Sequence, residues 1–159
     1  MVTQNDIWNL LEEVKDPEIP VISIVELGMV NDVAINNNKI EVDITPTFIA
    51  CPAIQYIQDN IISHIVNKTG KKTIVKVSLD PAWSSNRISE KGKQKLKKFG
   101  LTPPKKHDGN ICIKLLQNVV CPHCNSKETL IRSNFGSTLC RSMHQCNNCN
   151  QSFEHFKPI

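Results

Sequence analysis

The sequence predicts an α+β protein, a small domain with helices packed on one sheet followed by a C-terminal zinc ribbon. Three observations carry this: helical and strand periodicities alternate over the first eighty residues, the texture changes after Leu79, and two C-x-x-C pairs lie near the C-terminus.

Ile7, Leu10, Leu11 and Val14 fall at i, i+3, i+4 and i+7, the apolar stripe of an amphipathic helix over residues 4–15. Asp16-Pro17-Glu18-Ile19-Pro20 ends it, because each proline disfavours helical geometry in the residue before it. A short apolar stretch, Val21 to Val25, leads to Leu27-Gly28-Met29-Val30, where the glycine serves backbone geometry. Val33 and Ile35 alternate, Asn36-Asn37-Asn38 supplies a turn, and Ile40, Val42 and Ile44 alternate again, predicting a β-hairpin. Ile54, Ile57, Ile61 and Ile65 predict a helix opening at Pro52 and stopping at Gly70. Val75, Val77 and Leu79 read as a third strand, which suffices for a sheet covered on one face.

Asp80-Pro81-Ala82-Trp83 is a turn with a bulky anchor, and Ile88-Ser89-Glu90 opens a lysine-rich helix ending near Gly100. Ile111, Ile113 and Leu115 form a strand-like run, and Cys112 within it reads as a core residue. The predicted organisation is an α+β domain over 1–105 (core 1–80, basic helical extension 81–105), a connecting segment over 106–118, and a ribbon over 119–159.

Composition narrows the function. The chain has 159 residues, 40% apolar, with a formal charge of +4. That is enough apolar residue for a packed core. No apolar run approaches the ~20 residues that cross a bilayer, and the N-terminus has no signal-peptide pattern, so a soluble, cytoplasmic protein is expected. Lys91, Lys93, Lys95, Lys97, Lys98, Lys105 and Lys106 crowd one segment, which reads first as a solvated face and second as a docking surface for an acidic partner or nucleic acid. The chain lacks the Glu-x-x-His pattern of di-iron bundles and the glycine-rich dinucleotide fingerprint. It is therefore not expected to carry out oxygenation or electron transfer itself.

Cys121-Pro-His-Cys124 and Cys146-Asn-Asn-Cys149 are separated by 21 residues. Each turn offers two sulfurs to one ion, and two such turns complete a four-thiolate structural Zn²⁺ site with no open position for hydrolysis, with a redox dithiol or cluster site as the alternative. His123 and His144 are not needed as ligands. Cys140, in F-G-S-T-L-C-R, reads as a packed thiol, with ligand exchange against Cys146 as the alternative. Between and beside the pairs, 129–135 and 142–145 supply ribbon strands.

Cys51 stands apart, in T-P-T-F-I-A-C-P-A. Pro52 suits the first position of a helix, which places Cys51 at or near the N-cap, where backbone N–H groups and the helix dipole favour thiolate. Thr45 and Thr47 precede it as hydroxyl donors. A buried, inert cysteine is the alternative. A lone thiolate holds a labile cluster only with ligands from a second subunit or a partner, which admits a homodimer.

D-P-E-I-P-V-I-S-I-V-E-L-G-M-V followed by T-P-T-x-x-x-C-P-A resembles the domain shared by SufT and the eukaryotic cytosolic iron–sulfur targeting proteins. D-P-A-W, I-S-E-x-G-x-x-K-L, T-P-P and the ribbon with F-G-S-T-x-C are similar to the PaaD (PaaJ) family, accessory components of phenylacetyl-CoA epoxidase systems. The resemblance covers essentially the whole chain. It implies an iron–sulfur-assembly-like domain plus a zinc ribbon, acting beside the oxygenase and reductase subunits as a non-catalytic maturation factor. Carried over by position, Asp16, Glu18, Thr47 and Cys51 are the candidate site for a transient iron–sulfur cluster or iron, and Cys121, Cys124, Cys146 and Cys149 are the zinc ligands. Asp16 before proline reads as a turn residue first and a ligand second. The chain departs from the family at Pro158, where a cysteine is frequent, and at Ala50, where a glycine is common. A structural oxygenase subunit with an inert Cys51 is the second hypothesis. A nucleic-acid-binding ribbon protein ranks last, because few aromatic residues are available for stacking.

Overall fold

The computed structural model describes residues 2–110 and 113–159, so the assignment of Cys112 to a core lies outside the described residues. The chain divides into two compact units, Met1–Trp83 and Ser84–Ile159.

In the first unit, α1 (Gln4–Glu13) opens with a capping box, Thr3 and Asp6 each bonding the other's backbone N–H. Strands β1 (Val30–Asn36) and β2 (Lys39–Ile44) pair antiparallel across a tight turn, and Asn37 takes the positive φ of 52° that such turns need. A register shift between Val30 and Asp32 lets both Val30 and Val33 be buried. Helix α2 (Ile54–Thr69) then crosses over to β3 (Lys72–Val77), which pairs parallel to β2, so the sheet order is β1-β2-β3. Gly70 ends α2 with φ 66°, the left-handed conformation expected at that position.

The core is what the periodicities required. Ile40, Val42 and Ile44 of the central strand are fully buried, as are Ile7 and Leu11 of α1 and Ile57, Ile61 and Ile65 of α2. Each such side chain stabilises the fold by about 1.5–3 kcal/mol relative to exposure. Leu79, expected in the third strand, lies beyond its end and is 54% exposed. Trp83 is buried, and its indole Nε1 donates to the Leu27 carbonyl at 3.0 Å. The D-P-A-W turn is thereby tied to the L-G-M-V turn, where Gly28 has φ 69°.

The second unit begins with a short 3₁₀ turn, Ser85–Arg87, and α3 (Glu90–Phe99), capped by Ser89 and closed by Gly100 at φ 91°. Its sheet has the order β4-β7-β6-β5, from β4 (Leu101–Thr102), β5 (Thr129–Ser133), β6 (Arg141–Cys146) and β7 (Ser152–Phe156). β4 runs parallel to β7, and the other pairs are antiparallel. Two expectations are corrected here. The run predicted as a strand around Ile113 and Leu115 is a 3₁₀ turn over Ile113–Leu116. The basic helix groups with the C-terminal sheet rather than with the N-terminal one, because Leu101 and Thr102, which follow it directly, pair with Glu154 and His155.

The F-G-S-T loop between β5 and β6 is built around one ion pair. Arg141 Nη1 lies 2.8 Å from Glu154 Oε2, and Ser137 donates to the same carboxylate through its backbone N–H and its hydroxyl. A Cβ at Gly136 would stand 2.4 Å from Glu154 Oε1, so only glycine leaves this carboxylate in place. The Ser137 N–H and hydroxyl and Arg141 lower the Glu154 pKa against the opposing effect of burial.

Candidate functional site

The four ribbon sulfurs converge. Those of Cys121, Cys124, Cys146 and Cys149 all lie within 4.8 Å of one another, with Cys121 to Cys149 at 3.7 Å and Cys124 to Cys146 at 3.5 Å. A tetrahedron of sulfurs about 2.3 Å from zinc has edges of roughly 3.8 Å, so the donor set fits a single ion. The two turns are alike. The Cys121 N–H donates to Ser126 O at 2.9 Å and the Cys146 N–H to Gln151 O at 2.9 Å, with Asn125 and Asn150 at φ 59° and 58° after the second cysteine of each pair. The repeated C-x-x-C-N pattern was visible in the sequence as the signal for this geometry.

Cys121 and Cys146 are fully buried and pack with Val119 and Phe153, while Cys124 and Cys149 are partly exposed. The Asn148 side-chain amide, 3.6 Å from Cys124 Sγ, and then the Ser126 backbone lower the Cys124 thiol to about 6. Against a bond from the Gln151 backbone, burial and the three other thiols push Cys149 the other way, up to about 12, so Cys124 is the thiolate the group most readily presents to a metal. Cys140 is outside the group: its Sγ lies 3.1 Å from Thr138 Oγ1, in the F-G-S-T loop. His123 is exposed, and the buried His144 ring is held through Nε2 to Ser142 Oγ at 2.9 Å.

In the first unit the candidate residues are spread. Asp16 Oδ1 accepts from the backbone of Glu18 at 2.9 Å and of Ile19 at 2.8 Å, the turn role expected of an Asp before proline. Glu18 itself is exposed. Asp16, Pro17 and Pro20 form one wall of an open cleft of about 490 Å³ whose other wall is α2, with Tyr56, Ser63 and His64. His64 Nε2 lies 3.1 Å from Glu13 Oε2 there, without hydrogen-bond alignment. Cys51 and Thr47 do not line this cleft.

Cys51 does not occupy the N-cap. Ile54 N–H bonds to Cys51 O at 3.3 Å, closing a turn through Pro52 and Ala53, and Ala53 caps α2 without a side-chain bond. Cys51 therefore sits two residues ahead of the cap. Its loop, from the end of β2 to the start of α2, is tied by the Cys51 N–H to Phe48 O at 3.0 Å. Asn31 Nδ2 donates to the Thr45 hydroxyl at 2.7 Å, which fixes the start of that loop. Cys51 is partly exposed, with Phe48 38% and Ile49 81% exposed beside it. Among the described residues, the four ribbon cysteines form the single group of three or more side chains placed to hold a metal ion.

Known proteins agree with both halves. A family model described as "Iron-sulfur cluster assembly protein" matches residues 4–79, and one described as "PaaD zinc beta ribbon domain" matches residues 113–157. An Escherichia coli K12 protein named as a component of a 1,2-phenylacetyl-CoA epoxidase is 34% identical over 155 residues, covering 98% of this chain and 93% of that protein. A Porphyromonas gingivalis W83 protein named "Fe-S protein maturation auxiliary factor" is 30% identical over 90 residues, 55% of this chain and 85% of that one. A crystal structure of a DUF59 domain from Bacillus anthracis superposes with TM-score 0.55 at 33% identity, over 58% of this chain and 90% of that one. A conserved hypothetical protein of Thermotoga maritima superposes with TM-score 0.51 at 31% identity, over 62% and 95%. With an iron–sulfur-assembly unit, a ribbon of four converging thiols and a relative matched along nearly its full length, the chain belongs to the PaaD family of phenylacetyl-CoA epoxidase components.

Proposed function

We propose that this protein is a non-catalytic maturation factor for a phenylacetyl-CoA oxygenase system, passing an iron–sulfur cluster or iron to an oxygenase or reductase subunit through Cys51. The observation that carries the reading is the setting of Cys51, a partly exposed thiol on a loop with exposed apolar neighbours, within the iron–sulfur-assembly unit. Among the described residues, Cys51 belongs to no group of three or more side chains placed to hold a metal ion. A cluster or iron is then held with ligands from the recipient or from a second copy, and leaves with little to detach. Thr47, on the same loop, and Asp16 and Glu18, on the D-P-E turn, belong to the recipient-facing surface in this reading. Cys121, Cys124, Cys146 and Cys149 hold Zn²⁺ as a structural ion, which makes the ribbon a rigid docking module. The protein works in the cytoplasm.

The test is metal and acid-labile sulfide analysis of anaerobically isolated protein, wild type beside Cys51→Ser, with the metal content of the partner oxygenase measured after co-expression. One zinc in both proteins, with iron and sulfide lost from the variant and the partner left short of metal, is the expected result. A fully loaded, active partner with Cys51→Ser refutes the transfer role. A second reading, a structural subunit with an inert Cys51, is favoured by the position of that thiol ahead of the α2 cap. It predicts co-purification in fixed stoichiometry that Cys51 substitution does not alter.

A further inference from the structure

The second unit holds a cavity of about 320 Å³ whose lining contains none of the four ribbon thiols. Pro103, Pro104, Val119, Val120 and Pro122 give it apolar walls, and its imidazole is that of His155, on β7. His155 is fully buried, and neither ring nitrogen meets a hydrogen-bond partner among the described residues. The neighbouring His144 ring stands edge-on with centroids 5.5 Å apart and has its own partner in Ser142. Burial, with the charges of His144 and Lys105, pushes the His155 pKa down to about 3, so the ring is neutral and offers one donor and one acceptor. A buried polar group left unmet costs about 1–3 kcal/mol.

Two cations complete the lining. Lys97 Nζ bonds Asn125 Oδ1 at 2.9 Å, and Lys105 Nζ reaches the carbonyls of Gln117 and Asn118 at 3.5 Å. Neither is paired with a carboxylate among the described residues. An inorganic ion would leave the apolar walls unused, and a neutral hydrocarbon would leave both ammonium groups without a counter-charge and the imidazole unmatched. The volume lies at the low end of the ~300–1,000 Å³ usual for ligand sites, too small for a nucleotide.

We propose that this cavity binds a small organic acid, its compact apolar body against the prolines and valines and its carboxylate held by Lys97, Lys105 and a ring N–H of His155. The site belongs to the ribbon unit and is independent of Cys51. Its occupant would report an acid to the module that docks.

The test titrates metal-loaded, full-length protein with benzoate and with hexanoate, by calorimetry and by ¹⁵N shifts of the His155 ring in histidine-labelled protein. Benzyl alcohol serves as the uncharged control. Saturable one-site binding that moves the His155 resonances is expected, with benzyl alcohol about tenfold weaker. Lys105→Gln, an exposed position that leaves the fold alone, should weaken benzoate about fivefold and leave benzyl alcohol unchanged. No saturable binding of either acid up to about 10 mM overturns the proposal. So does a benzoate affinity that Lys105→Gln leaves unchanged, or binding that leaves the His155 ring unmoved.

Discussion

Replacing Trp83 by Phe tests whether the two signature turns of the first unit hold one another. The indole is buried, and its Nε1 donates to the Leu27 carbonyl at 3.0 Å. A phenyl ring keeps most of the apolar contact but removes the donor, so a buried carbonyl in the turn that contains Gly28 loses its partner. The lost bond and the stranded acceptor together cost about 2 kcal/mol. In a unit of this size a change of 1 kcal/mol moves the melting temperature by ~4–8 °C, so the midpoint should fall by about 8–16 °C. The chain has two tryptophans, Trp8 and Trp83, both in the first unit. In Trp83→Phe, Trp8 in α1 is therefore a clean reporter of that unit in a urea titration followed by fluorescence. A midpoint shift worth less than about 0.5 kcal/mol, with an unchanged m value, would show that the turns stand without the indole bond.

Three further outcomes are expected. Gly136→Ala puts a Cβ 2.4 Å from Glu154 Oε1 and 3.1 Å from Arg141 Cβ, displacing the carboxylate from Ser137 and Arg141, and should destabilise the second unit by about 1–3 kcal/mol in thermal unfolding; an unaltered melt would contradict it. His155 is neutral when folded, with its pKa at about 3 against an ordinary 6.5. The unfolded state therefore binds one more proton between those values, stability is lost as pH falls, and the loss from pH 6.5 to about 5 is roughly 2 kcal/mol. His155→Phe should remove that share of the pH dependence, and parallel curves for wild type and variant would refute it. Finally, besides the ligands themselves, Val119 and Phe153 are the buried residues packed at the four-thiol site, so stripping the metal with a chelator should unfold the ribbon strands. Tryptophan fluorescence should not follow, because neither tryptophan is in that unit; ribbon amide shifts in NMR that survive chelation would refute the dependence.

What could be read from the sequence was what neighbouring residues decide. The stripe of Ile57, Ile61 and Ile65, the asparagine turn after β1, the Ser89 cap and the Gly70 and Gly100 stops all act within a few residues, and each stands where expected. The four-thiol site was equally legible, because spacing alone encodes two matched turns. Cys51, expected at or near the N-cap, lies two residues ahead of it, because a proline after it suits a turn as well as a first helical residue. β4 and β7 were invisible, since a two-residue strand has no period and its partner lies some fifty residues on. The cavity at His155 was hidden for the same reason, its lining drawn from residues 97 to 155.

The place of β7 in its sheet has a consequence for the order of folding. It lies between β4 and β6, so the sheet of the second unit stays in two pieces until residues 152–156 are available. The first unit has no such dependence, because all its strands are complete by Val77. On a ribosome adding about 5–20 residues per second, the assembly unit can form seconds before the ribbon closes. Cys121, Cys124, Cys146 and Cys149 all precede β7, so metal capture can come first and closure of the sheet last. A nascent chain would then present a folded first unit while its second is still gathering its ion.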